Sequence, residues 1–368
     1  MSTTSTQPDL LYSEEEEALR SAVRDLLRDH CDPAGVVARI ESDAPHDRSL
    51  WQALADGMGL AGLLVPESLG GHGASHREAA VVLEELGRAV APVPYLTSAV
   101  VATEALLACD SDEAAKLLTE LASGRTVAVL AVGLSAGPGA AHGVVRQENG
   151  ALHGELSAVA DAAAADVLLV PVDDSGLYAV DAAAVTITPQ VALDLTRPPA
   201  TVTLDGAPGR LVTADAAPAL RRALRAGAGL LASEQLGVAD WCLTETVRYL
   251  KERKQFNRPV GGFQALKHRL AQLWLEVAGL RAAARHAADA LATDSEDTDI
   301  AVAVAEAYAA PVAVRAAEEA LQLHGGIGMT WEHPVHLYLK RAKADSIAYG
   351  TAGAHLEALA DLVDLQAP

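Results

Sequence analysis

The chain has 368 residues, of which 50% are hydrophobic and 21% charged, enough apolar material for a sizeable core and too much for a disordered protein. Its net charge of −21 repels phosphate backbones and anionic bilayer surfaces, so neither nucleic acid nor a membrane is expected as a partner. At roughly 100–200 residues per domain, the length predicts two or three domains, or one large composite unit.

The N-terminus, MSTTSTQPDL, lacks a basic segment followed by an apolar one, so no secretory leader is expected. Cys31, Cys109 and Cys242 are odd in number, widely spaced and free of any CxxC pattern. That usage predicts a reducing, cytoplasmic setting and no disulfide scaffold or cysteine zinc site. No apolar run reads as a bilayer span.

Ser13 and Glu16 form a capping-box pattern at the start of a helix whose apolar positions include Leu19, Val23, Leu26 and Leu27. Further helices are predicted over 49–58, 75–90, 95–109 and 112–123, with a turn-rich loop at 62–73. From Arg125 the pattern changes to short β-type runs broken by Gly, Asn-Gly and Asp, which predicts an antiparallel barrel or sandwich ending near Val212. Long helices then return over 217–254, 265–293, 300–323 and 334–365, the number needed for a bundle. The predicted fold is mainly α with a central β domain, divided as 1–124, 125–212 and 213–368. The helical, β, helical order does not suit a doubly wound sheet, which needs alternating βαβ units.

Ser135–Gly143 follows a strand and superficially matches a dinucleotide fingerprint, but His142 stands where the third glycine belongs, and strands follow it. It reads as a glycine turn. His333 and His336 form an HxxH spacing with Pro334 between them, which predicts a packing or solvated role and no metal.

Two segments carry more. In Tyr249–Gln272, Arg253 offers bidentate donors to a pyrophosphate and Phe256 offers a face to a purine or flavin, near Gln255 and Gln264. In Leu321–Lys343, Gly325, Gly326 and Gly328 let backbone approach a ligand closely, and Gln322 supplies an amide. Either one alone also reads as a helix end followed by a loop.

Together, RKQF…FQALKH and QLHGGIG resemble the most specific motifs of the acyl-CoA dehydrogenase family. MGLAGLLVPESLGGHG (58–73), LEELGRAVAPVPYL (83–96) and the barrel-like middle region resemble its remaining parts, so the similarity covers nearly the whole chain. The resemblance implies a helical domain, a middle β-barrel and a C-terminal four-helix bundle. It implies FAD-dependent α,β-dehydrogenation of an acyl-CoA thioester, in which a glutamate takes the α-proton and the flavin the β-hydride, with electron-transfer flavoprotein as acceptor. It also assigns Arg253, Gln255, Phe256, Gln264, Gln322, Gly325 and Gly326 to the adenosine and pyrophosphate part of a flavin held in a neighbouring subunit. Asn257 replaces the family's glycine after the phenylalanine.

The catalytic positions depart from the family. Tyr349 stands where one branch places its glutamate, and Gly227, followed by Ala228, stands where another branch does. Ala158 and Ala160 stand where tryptophan and threonine hold the flavin ring. The resemblance therefore implies a subunit of an α2β2 assembly with a paralogous catalytic partner, of the actinobacterial type that acts on CoA thioesters of steroid side chains. Two alternatives remain open: a self-sufficient enzyme with Asp345 or Glu234 as a displaced base, or a flavin-free scaffold.

Overall fold

The computed structural model describes residues 10–140, 144–173 and 176–366. The expectations for residues 1–9 and for His142 and Gly143 lie outside them. The N-terminal part contains α1 (Glu14–His30), α2 (Pro33–Ile40), α3 (Arg48–Gln52), α4 (His76–Ala89), α5 (Thr103–Leu107) and α6 (Asp112–Ala122). The capping box forms as read: Glu16 N–H donates to Ser13 Oγ at 3.1 Å, and Ser13 N–H to Glu16 Oε2 at 2.6 Å. The stretch predicted as one helix over 95–109 begins as a wider π-helical segment, Tyr95–Ala102, before tightening into α5.

The middle region holds β1 (Ala128–Leu130), β2 (Arg146–Glu148), β3 (Ala151–Ala160), β4 (Val167–Val172), β5 (Gly176–Asp181), β6 (Thr186–Pro189), β7 (Pro199–Pro208) and β8 (Arg210–Thr213). They form two four-stranded sheets, β1-β4-β5-β8 and β2-β3-β7-β6, connected by a bridge between Val145 and Val172. Asn149 and Gly150, both with positive φ, close the β2–β3 hairpin as the Asn-Gly pair predicts. The expectation of a wholly antiparallel arrangement is corrected at two places, the second being the parallel Val145–Val172 bridge. β1 pairs parallel with β4, because the chain leaves the first sheet to build β2 and β3 in the second before returning.

The C-terminal part begins with α7 (Ala217–Glu252) and a short hairpin, β9 (Lys254–Gln255) and β10 (Arg258–Pro259). It continues with α8 (Gln264–Thr293), α9 (Thr298–His324), α10 (Val335–Asp345) and α11 (Ala352–Leu362). The single helix predicted over 334–365 is thus two helices. Tyr349 and Gly350 take φ of 52° and 109°, which no α-helix accommodates, and Thr351 caps the next helix. The bilayer reading is also corrected. The segment Thr298–Met329 is long and apolar enough to cross a membrane, but 61% of its apolar window is buried inside the protein, so its apolarity belongs to the bundle core.

One core runs from the N-terminal helices through both sheets to the first half of α7, and it includes Tyr349. A second fills the bundle among α7, α8, α9 and α10. The helix α7 serves both, and it is set against α4 by backbone contact. A Cβ added at Gly237 would collide with the Glu84 carbonyl oxygen, and one at Gly87 with the Glu234 carbonyl oxygen. This crossing fixes the depth at which Gly227 and Glu234 sit. Gly237→Ala is expected to lower stability by about 1–3 kcal/mol through overpacking. Gly57→Ala, where a Cβ would meet nothing within 4 Å, should change it little. Denaturant midpoints of the two variants check the contrast, and equal midpoints would contradict it.

Candidate active site and cofactor platform

The turn between α10 and α11 is held by backbone. Tyr349 N–H donates to the Leu134 carbonyl at 2.8 Å, and the His355 ring bonds the Tyr349 carbonyl through Nε2 at 3.1 Å. Thr351 Oγ1 accepts from Ala354 N–H at 3.2 Å and caps α11. A bulky residue in the left-handed region costs roughly 1–2 kcal/mol, and it persists here because both its own peptide groups are bonded.

That backbone aims the Tyr349 ring at α7. A Cβ built on Gly227 would lie 3.4 Å from both Cε1 and Cζ of Tyr349 and 2.9 Å from Val101 Cγ2. The ring therefore rests on bare helix backbone. Tyr349 and Gly227, remote in sequence, are neighbours, and the side chain of one fills the space the other leaves. The cavity that remains has about 10 Å³ and is lined by Thr97, Val101, Val129, Gly133, Ala160 and Tyr349. That is about the volume of one water. No carboxylate lines it among the described residues, and burial raises the Tyr349 phenol well above its ordinary range. Ala160, expected beside a flavin ring, does face this cavity. Ala158 lies in a β-bulge of β3 with φ of 56°. Outside the tyrosine, a cleft of about 720 Å³ opens between residues 135–140, the start of α7 at Arg221 and Arg225, and α11.

The two carboxylates weighed as displaced bases lie elsewhere, in a buried ionic cluster. Arg197 Nη2 bonds Glu234 at 2.5 Å and Arg197 Nη1 bonds Asp345 at 3.1 Å. Arg341 bonds Glu234 through Nη1, Asp194 through Nε at 2.7 Å and Thr196 Oγ1 through Nη2 at 2.6 Å. Burial alone would raise the Glu234 carboxyl, but the charges of Arg197 and Arg341 outweigh it and hold the group below its usual range. Asp345 is pushed well up by burial and by the Glu234 charge, and Glu306 by burial and by Asp345. Neither Glu234 nor Asp345 lines the cavity beside Tyr349. Sequence reading missed Asp194, Thr196 and Arg197; the only signal was a polar DLTR run ahead of a strand.

The seven residues assigned to a neighbour's cofactor lie at one end of the bundle. Arg253 ends α7, its N–H donating to the Tyr249 carbonyl at 2.8 Å, and its side chain has no ion-pair partner among the described residues. Gln255 is in β9, Gln264 opens α8, and both are exposed. Phe256 and Asn257 form the hairpin turn with φ of 51° and 58°. The position of the family's glycine demands positive φ, and asparagine tolerates it, so Asn257 keeps the turn. Phe256 is 86% exposed and meets Phe263 edge-on at 6.1 Å. Gln322, Gly325 and Gly326 at the end of α9 are exposed, and a Cβ on either glycine would meet nothing within 4 Å. Stacking of Tyr249 on His324, centroids 4.5 Å apart, ties the two segments together. His333 packs on His324 at 4.2 Å and His336 on Trp331 at 4.6 Å, so both stand in aromatic contacts.

Comparison with known proteins decides the family. Residues 13–125 match the acyl-CoA dehydrogenase N-terminal domain and residues 218–363 the acyl-CoA dehydrogenase C-terminal domain. The chain belongs to the acyl-CoA dehydrogenase family. It is 37% identical to acyl-CoA dehydrogenase IpdE2 of Mycolicibacterium smegmatis over 92% of this chain and 95% of that one. Among solved structures it is similar to a variant of the Tcur3481-Tcur3483 steroid ACAD, at 31% identity and TM-score 0.84, covering 95% of this chain and 98% of that one. It is also similar to the ChsE4-ChsE5 complex from Mycobacterium tuberculosis, at 29% identity and TM-score 0.87, covering 98% and 100%.

The ionic cluster carries a pH signature. Gln235 Oε1, Asp345 Oδ2 and both Glu306 carboxylate oxygens are buried without a close hydrogen bond among the described residues, and for Glu306 burial and the Asp345 charge outweigh the nearby Gln235 amide and favour the protonated form. A carboxyl whose proton affinity is raised on folding loses stability for the fold as pH climbs from the ordinary carboxylate range towards its raised value. Glu306→Gln is therefore expected to gain stability relative to the parent as pH rises from about 5 to about 9. Thermal unfolding across that range checks it; parallel curves would contradict it.

Proposed function

We propose that this chain is a subunit of a heteromeric, FAD-dependent acyl-CoA dehydrogenase acting on a CoA thioester of the steroid-degradation type. In this reading it supplies no base and lends flavin contacts to a paralogous catalytic partner in an α2β2 assembly. The observation that carries the reading is the Tyr349 ring lying over Gly227, which fills both positions from which family members present a glutamate. A phenol whose pKa is raised above its usual value near 10 cannot abstract the α-proton of a thioester at neutral pH.

The two halves of the cofactor space answer differently. At the bundle end, a free guanidinium, exposed amides and two uncovered glycines suit the anionic and adenosine parts of a dinucleotide. The small cavity of about 10 Å³ between Tyr349 and Ala160 does not admit an isoalloxazine ring, whereas the cleft of about 720 Å³ on the outer side of Tyr349 is open. FAD, when bound in the assembly, would supply the hydride acceptor for the dehydrogenation. Arg253 would bind pyrophosphate, Phe256 would pack against a ring face, and Gln322 and the Gly325–Gly326 backbone would orient the adenosine end, while Gln255 and Gln264 would border it. Both structural relatives above are named as pairs of proteins, which supports a paralogous partner. Exposed apolar side chains on the outer faces of α8 and α9, namely Trp274, Leu275, Val304 and Tyr308, support burial against another subunit. Electron-transfer flavoprotein would be the acceptor. Three free cysteines suit the reducing cytoplasm.

The lone chain is expected to carry little flavin and to show no dehydrogenation. Co-expression with its paralogue should restore both. In that complex Arg253→Ala should weaken flavin retention by about 10–100-fold, the worth of a charge-assisted contact. Flavin absorbance per tetramer measures it. A yellow, active homotetramer of this chain alone would overturn the proposal, and unchanged flavin content in the Arg253→Ala complex would favour a pure scaffold.

A further inference from the structure

Beneath the exposed platform, three side chains from separate elements converge. Glu245 comes from α7, His324 from the last position of α9, and His333 from the segment before α10. One donor atom from each lies within 4.8 Å of the other two. His324 is 2% exposed, and its Nδ1–H donates to the Ala320 carbonyl at 2.7 Å. That bond fixes the tautomer and leaves Nε2 with a lone pair, buried and without a partner among the described residues.

We propose that Glu245, His324 and His333 form a divalent-cation site of the zinc class. A buried acceptor without a donor is costly, and a cation supplies what it lacks. The His324–Ala320 bond is the outer contact that metal-bound imidazoles characteristically make, holding the ring and raising its basicity. Two imidazoles and one carboxylate, with water as the fourth ligand, suit zinc better than the all-oxygen cations. The HxxH spacing does not supply the pair, because the His336 ring turns away to Trp331 and the long-range partner is His324.

Two existing contacts must yield. Arg248 bonds both Glu245 oxygens, at 2.5 and 2.9 Å, but it also pairs with Glu252 at 2.8 Å and is itself exposed. Each carboxylate oxygen keeps a second lone pair for a metal. His333 Nδ1 accepts a long bond from Val335 N–H at 3.3 Å, a weak contact for this imidazole to risk. The site lies directly behind the Gly325–Gly326 turn, so the ion would brace that turn against α7 and would take no part in hydride transfer.

The test is made on the full chain stripped with chelator, titrated with zinc chloride by calorimetry and with cobalt(II) by visible absorption. One ion per chain is expected, with tetrahedral cobalt bands and a rise in unfolding temperature. His333→Ala and Glu245→Gln should each weaken binding by about tenfold or more, while leaving metal-free unfolding near that of the parent. Arg248→Gln should tighten binding, because it removes the competing cation. Absence of saturable binding, or one-ion binding unaffected by both His333→Ala and Glu245→Gln, would overturn the site. The readout is independent of flavin and of activity, so its failure leaves the proposed function standing.

Discussion

The contact on which the rest of the account depends is an aromatic ring laid on a helix that has no side chain at that point. Tyr349 rests on Gly227 because a left-handed backbone between α10 and α11 aims it there, and Leu134 and His355 hold that backbone from two sides. Either residue alone would be an ordinary substitution. Together they form a packed, uncharged plug, with the ring of one filling the space the other leaves. The hydrophobic gain from covering the ring and the strain of its backbone occur together in this arrangement.

Carboxylates absent from the cavity lining are present nearby. Glu234 shares α7 with Gly227, and Asp345 ends α10 just before the turn that carries Tyr349, but two buried arginines bind both carboxylates into a cluster with Asp194. A buried ion pair contributes little net stability, yet losing one partner is expensive, so the cluster specifies an arrangement more than it strengthens one. Here it joins the β-domain segment carrying Asp194 and Arg197 to α7 and α10, the helices that present the plug. The Gly87–Gly237 crossing sets the depth of α7 from the other side.

The sequence was legible where local chemistry decides structure. The Ser13–Glu16 capping box, the Asn149–Gly150 hairpin and the long apolar periods of α7, α8 and α9 all read directly. The hairpin turn at Phe256–Asn257 and the glycine turn at 325–326 also follow from local chemistry, and the roles proposed for them rest on residue identity. What was hidden depends on long-range juxtaposition. The apolar pattern of 334–365 is continuous, so the break at Tyr349 does not show in it. The parallel β1–β4 pairing follows from a crossover that periodicity does not encode. His333 was paired in sequence with His336, whereas the fold pairs it with His324, and Asp345, exposed in appearance within a KRAKAD run, is buried. Gly227 and Tyr349 were each legible as departures from the family pattern, but their contact with each other was not.

The central claim is that this polypeptide touches the adenosine end of the flavin and leaves the reactive ring to its partner. A crystal structure of the two-subunit complex with flavin and a non-reactive acyl-CoA analogue tests it most directly. The account predicts Arg253 at hydrogen-bond distance from the pyrophosphate, Tyr349 still seated on Gly227, and the isoalloxazine enclosed by the other subunit. An isoalloxazine lying between Ala160 and a displaced Tyr349 of this chain, with the thioester beside one of its own carboxylates, would contradict it.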